Sequence, residues 1–139
     1  MESWQKLWRE GAAPLLTTDN LETLRIALVI DDPRLKQGAT TSPPPIQCVQ
    51  DWPCEAACLL AYCGAADLGG LAPEGNVTVG EVEEYFARLC WEIDQRMGEP
   101  AACRYLLNFW DDTPRLTARH KLLTEVHRTL AERLMELEQ

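Results

Sequence analysis

An all-α fold is what this sequence predicts: a compact single-domain bundle of five or six helices spanning 1–139, with a Pro-rich extended strap at 36–50 and a possible short strand at 24–30. Three observations carry the prediction. Apolar residues recur at helical spacing over 78–97 and along the C-terminal 25 or so residues. Gly, Pro and Asx residues mark the breaks between periodic segments, and those breaks are mostly short. Strand-like alternation is confined to Leu24, Ile26, Leu28 and Ile30.

The elements follow in chain order. Trp4, Leu7 and Trp8 lie one turn apart and predict a short amphipathic helix from Glu2 to Glu10, ended by Gly11 and Pro14. Asp19 with Glu22 three residues on reads as a capping box for a helix through LETLRIALVI, and the cap favours helix over strand there. Pro33 ends that element by pushing Asp32 out of the α region. Pro43, Pro44 and Pro45 predict polyproline II conformation within the strap. Asp51 and Pro53 then open a buried helix that runs through CEAACLLAYC to Gly64. A Gly- and Pro-rich flexible loop follows at 64–77.

Thr78 and Glu81 form a second capping box, at the start of a helix whose stripe is Val82, Tyr85, Phe86, Leu89, Cys90 and Ile93. Gly98 and Pro100 stop it. A shorter helix spans about 100–109. The last one starts behind Asp112 or Thr113 and carries Leu116, Leu123, Leu130 and Leu137 on one heptad line, with Val126 and Leu134 beside it.

Composition narrows the function. With 46% apolar and 25% charged residues, wholesale disorder is excluded. A formal charge of −9, from 13 basic and 22 acidic residues, argues against nucleic acid as a partner, because phosphate neutralisation needs a basic surface. No stretch approaches the roughly 20 apolar residues of a membrane span, and the N-terminus lacks the apolar core of a signal peptide. A cytoplasmic protein with no membrane partner is therefore expected.

Six cysteines stand at 48, 54, 58, 63, 90 and 103. In a reducing compartment their apolar settings predict structural thiols. The alternative is a metal- or redox-linked protein using Cys48, Cys54, Cys58 and Cys63. Their intervening gaps of five, three and four residues match zinc and iron–sulfur spacings poorly. His120 and His127 sit about 10 Å apart along one helix face, too far to share one metal ion, and are expected to border the core. The carboxylates at 81–94 lack the Glu-x-x-His pairing of a di-iron site. No nucleophile elbow, P-loop or dinucleotide fingerprint occurs, so neither an enzyme nor a cofactor is expected.

Charge and tryptophan placement point to a protein partner. No Lys or Arg falls between Lys36 and Arg88, whereas that interval holds seven acids. Such an acidic middle steers encounters with a basic surface. The partner-binding candidates are Trp4, Trp8, Glu81, Glu84, Trp110, Leu123 and Leu130, with Trp91 expected in the core. The functional expectation is an acidic adaptor, assembly factor or regulator, with a homodimer through the C-terminal helix as one form. A small-ligand pocket lined by Trp52, Tyr62 and Trp91 is a further alternative.

Overall fold

The computed structural model describes residues 1–45 and 50–138. Among these residues six α-helices and one short antiparallel strand pair form, in the order α1 Ser3–Leu7, α2 Thr18–Ile30, β1 Thr41–Ser42, β2 Ala56–Ala57, α3 Leu59–Ala65, α4 Val79–Met97, α5 Arg104–Asp112 and α6 Arg115–Leu137. The all-α prediction holds. Residues 24–30 are helical, and the strand pair lies instead in the strap and in the segment expected to be helical.

The best-foreseen element is α4. The Thr78 hydroxyl accepts the Glu81 N–H and the Glu81 carboxylate accepts the Thr78 N–H, closing the predicted box. Gly98 ends the helix at a left-handed C-cap, which a residue without Cβ adopts at no steric cost. Helix α2 starts two residues earlier than predicted: Thr17, not Asp19, is the cap, and its partner is Asn20. Asp31 in the left-handed region closes it.

Three predicted boundaries are corrected. The first helix does not stop at Gly11; α1 passes into a π-turn at Trp8–Ala12 and a 3-10 turn at Ala13–Leu15. Gly11 serves packing there, since an added Cβ would meet Met97 Sδ at 3.1 Å and Ile93 at 3.2 Å. The helix expected from Asp51 begins only at Leu59. Before it, the backbone bonds to three other segments: Cys54 N–H to Val77, Ala57 N–H to Arg34 and Cys58 N–H to Thr40. Finally, neither Asp112 nor Thr113 caps α6; Pro114 occupies that position with no side-chain cap.

Helices α2 and α6 run antiparallel, with Arg119 donating to the Leu28 carbonyl near one end and Arg133 to the Leu16 and Ala13 carbonyls at the other. Arg115 donates to the carbonyls of Asp32 and Leu35. These guanidinium groups satisfy carbonyls left open where helices and turns end, and Arg115 and Arg119 place positive charge at the negative, C-terminal end of α2. The core face of α6 is Ala118, Leu122, Glu125 and Val126. It packs against Trp8, whose indole N–H donates to Thr129 Oγ1 at 3.1 Å.

Glu125 is 3% exposed and its carboxylate receives two bonds from Arg9, at 2.7 and 2.9 Å. The guanidinium holds the carboxyl below its usual range. At the other end of α2, burial pushes the Asp32 carboxyl up, but bonds from Arg34 and Tyr62 outweigh it and leave the group below its usual range. Both carboxylates thus contribute stability above pH ~4.3, and that contribution is lost as the pH falls through their folded-state pKa values.

Two stability changes follow from this packing. Glu125→Gln is expected to cost about 1–3 kcal/mol at neutral pH by urea denaturation, with the gap to wild type narrowing below about pH 4. In α3, Gly64 faces the Tyr85 ring, which an added Cβ would overlap. Gly64→Ala should therefore lower stability by about 1–3 kcal/mol despite the better helix propensity of Ala. In a Tyr85→Ala background the same change should become neutral or stabilising, a sign reversal that thermal unfolding would read directly.

Candidate interaction surface

Tryptophan burial divides the chain differently from the sequence expectation. Trp8 and Trp110 are fully buried and Trp4 nearly so. Trp4 stacks on Phe109 at 3.9 Å with a 6° interplanar angle, and its indole N–H donates to Glu2. Trp110 donates to the Lys36 carbonyl at 2.7 Å and so anchors the strap. All three are core or seam residues, which withdraws them as partner-binding candidates. The reverse holds for Trp91, expected in the core but 62% exposed, and Trp52 is also exposed.

Trp91 borders a groove of about 470 Å³ lined by Asp94, Gln95, Gly98, Glu99 and Ala101. Asp94 is occupied locally, accepting the N–H groups of Ala101 and Cys103. Glu99 accepts the Tyr105 hydroxyl at 2.9 Å. Tyr62 lines a separate cleft with Arg34 and Glu74, so the three-aromatic pocket expected of Trp52, Tyr62 and Trp91 does not form. Glu81 and Glu84 are exposed, but each has a local partner: Glu81 the Thr78 cap, and Glu84 the Arg88 guanidinium at 2.9 Å.

The leucine line of α6 also lands elsewhere. Leu123 and Leu130 are half-buried at the edge of the core, while Leu116 and Leu134 are 61% and 62% exposed and Leu137 more so. At 100° per residue this stripe lies about a third of a turn from the buried face. His120 and His127 flank it and are exposed rather than bordering the core. On α2, packed alongside, Ile26, Val29 and Ile30 are exposed as well. Isolated exposed leucines are ordinary, but several on two packed helices form a candidate contact face.

The cysteines stay apart from this surface. Cys54 Sγ donates to the Ala56 carbonyl and Cys63 Sγ to the Leu59 carbonyl, and both side chains are buried. Cys54 precedes a strand and Cys58 occupies the N-cap position of α3, so the two do not lie together in the helix expected from Asp51. Burial pushes the thiols of Cys58 and Cys63 up to about 12. Among the described residues no group of three or more His, Cys, Asp or Glu is arranged to hold a metal ion; Cys48 lies outside them.

Thiol accessibility gives a direct check of this arrangement. In the folded protein a short iodoacetamide pulse should leave Cys54, Cys58 and Cys63 unmodified, and urea should expose all three to peptide-mapped alkylation. Among the described residues no helix is long and apolar enough to cross a membrane. No protein-family model, curated protein or solved structure matches the chain, so function must be argued from its own surface.

Proposed function

We propose that this chain acts through protein–protein contact, as a cytoplasmic adaptor, assembly factor or regulator with no catalysis of its own. The observation that carries the reading is the unpartnered apolar face formed by the α6 leucine stripe and the outer edge of α2. Apolar area of this kind gains free energy when a partner removes it from water, at about 25 cal/mol per Å².

A second copy of the chain is the occupant with the best support. The heptad residues pair symmetrically about the middle of the stripe, Leu116 with Leu137 and Leu123 with Leu130, as an antiparallel two-fold contact requires. Charge follows the same symmetry. Lys121 and Arg128 are exposed in the first two-thirds of α6, and Glu132, Glu136 and Glu138 near its end. Antiparallel pairing about that midpoint sets Lys121 of one copy opposite Glu132 of the other.

A second reading rests on Trp91. An exposed indole beside Glu99 and the carboxylate-rich face of α4 suits a basic partner, whose Arg or Lys can lie over the ring. The two readings use different helices.

Sedimentation over a concentration series separates them. Wild type should sediment as a dimer at high concentration, and Leu116→Asp with Leu134→Asp should remain folded by circular dichroism yet become monomeric. Because both leucines are exposed, these changes spare the core, unlike substitutions at Leu123 or Leu130. A wild-type protein that stays monomeric throughout would overturn the second-copy reading and leave the Trp91 face. Loss of binding of a basic peptide on Trp91→Ala would then support that face.

A further inference from the structure

Three positive side chains converge on one cleft of a chain whose formal charge is −9. The cleft has a volume of about 410 Å³ and is lined by Lys6, Arg9, Glu10, Pro14, Arg96 and Met97. Lys6 belongs to α1, Arg9 and Glu10 to the π-turn at Trp8–Ala12, and Arg96 and Met97 to the end of α4. Gly11 makes the meeting possible, since its missing side chain lets the π-turn approach Met97 and Ile93 closely. Arg96 Nε then donates to the Glu10 carbonyl at 3.3 Å and ties α4 to the turn. Isolated π-turns recur at functional sites.

The donors around this cleft are only partly used. Arg9 gives Nε and Nη2 to Glu125, which holds the guanidinium in place and leaves Nη1 with no hydrogen-bond partner among the described residues. Arg96 bonds only through Nε. Neither Lys6 nor Arg96 has a carboxylate within ion-pair distance among the described residues. Glu10, the one acid of the lining, pairs with none of the three cations.

We propose that this cleft binds a phosphate dianion, either free or as the monoester of a small molecule. A guanidinium presents paired N–H donors that match phosphate oxygens, and the lysine ammonium adds a point charge. Because Glu125 already orders Arg9, little side-chain entropy is lost when an anion takes the remaining donors. A tetrahedral dianion concentrates two charges on one group, whereas the carboxylates of an acidic peptide are spread along a chain. Six lining residues suit the compact anion, and the volume is that of a small-molecule site. Pro14 and Met97 supply an apolar wall for the organic part of an ester. The cleft shares no residue with the leucine stripe of α6 or with the Trp91 groove, so it stands independently of both partner readings.

Amide chemical-shift titration of the full chain at about pH 8, where phosphate is mainly dianionic, tests the site. The probes are inorganic phosphate and phenyl phosphate, with sodium chloride at matched ionic strength as the control. Saturable shifts are expected around residues 6–14 and 93–97 with phosphate and not with chloride. Tighter binding of phenyl phosphate would identify an ester as the ligand, and binding no tighter than that of inorganic phosphate would identify the free anion. Lys6→Gln combined with Arg96→Gln changes two exposed residues and should weaken phosphate binding about tenfold or more, with the circular dichroism spectrum unchanged. Both cations also stand in the last turns of their helices, where positive charge complements the dipole. A double variant that loses thermal stability yet binds phosphate like wild type would leave them that role alone and overturn the proposal. Phosphate shifts no larger than those in chloride would overturn it too, as would saturable binding of an oligoglutamate peptide with none of either phosphate.

Discussion

The buried carboxylate of Glu125 is the constraint from which the rest of the arrangement follows. A charge taken out of water costs several kcal/mol unless hydrogen bonds replace those it loses, and here Arg9 supplies two of them from the far end of the chain. That requirement fixes the first helical segment against α6. Once Arg9 is placed, Trp8 lies against Thr129, and Trp4 reaches Phe109 on α5. The N-terminal tryptophans thereby become a seam joining α1, α5 and α6. A docked N-terminal segment also determines which side of α6 is inside, and the leucine stripe is left on the other.

The division of α6 into two faces shows how composition can mislead. The inward face carries Ala118, Leu122, Glu125 and Val126, with Thr129 beside them: one small and two polar residues among two large apolar ones. By hydrophobicity alone the heptad of leucines is the stronger stripe, and it reads as core. The structure places it outward because a small Ala admits a close neighbour and because Glu125 and Thr129 have partners in Arg9 and Trp8 that are more than a hundred residues away. Such pairings have no local signature. The same reasoning covers tryptophan: Trp4, Trp8 and Trp110 each find an acceptor, from Glu2, Thr129 and Lys36, so burial leaves no indole N–H open.

What the sequence made legible was whatever the local chain determines. The α4 boundaries were readable because a Thr–Glu box and a Gly cap act within one turn. Termination of α2 at Asp31 was readable from Pro33. Residues 51–58 were not readable, because their backbone groups bond to Arg34, Thr40, Ser42 and Val77, and this tertiary pairing overrides the helical pattern of an Ala- and Cys-rich run. For the interaction surface, the α6 leucine line was identified, but the two candidates taken from it, Leu123 and Leu130, are half-buried, and the exposed positions are Leu116, Leu134 and Leu137. Among the thiols, the four-cysteine cluster drew attention through proximity in sequence, whereas its described members Cys54, Cys58 and Cys63 occupy a loop, the N-cap position of α3 and α3 itself.

The reversal at Gly98 shapes the Trp91 side of the molecule. Gly98 reverses the chain, and Asp94 then gathers the backbone N–H groups of Ala101 and Cys103 onto the last turns of α4. The junction so formed borders the Trp91 groove, since Asp94 and Ala101 line that groove. The apolar face of α2 and α6 shares none of these residues. A basic partner at Trp91 and a second copy on α6 would therefore rest on separate residues of the molecule.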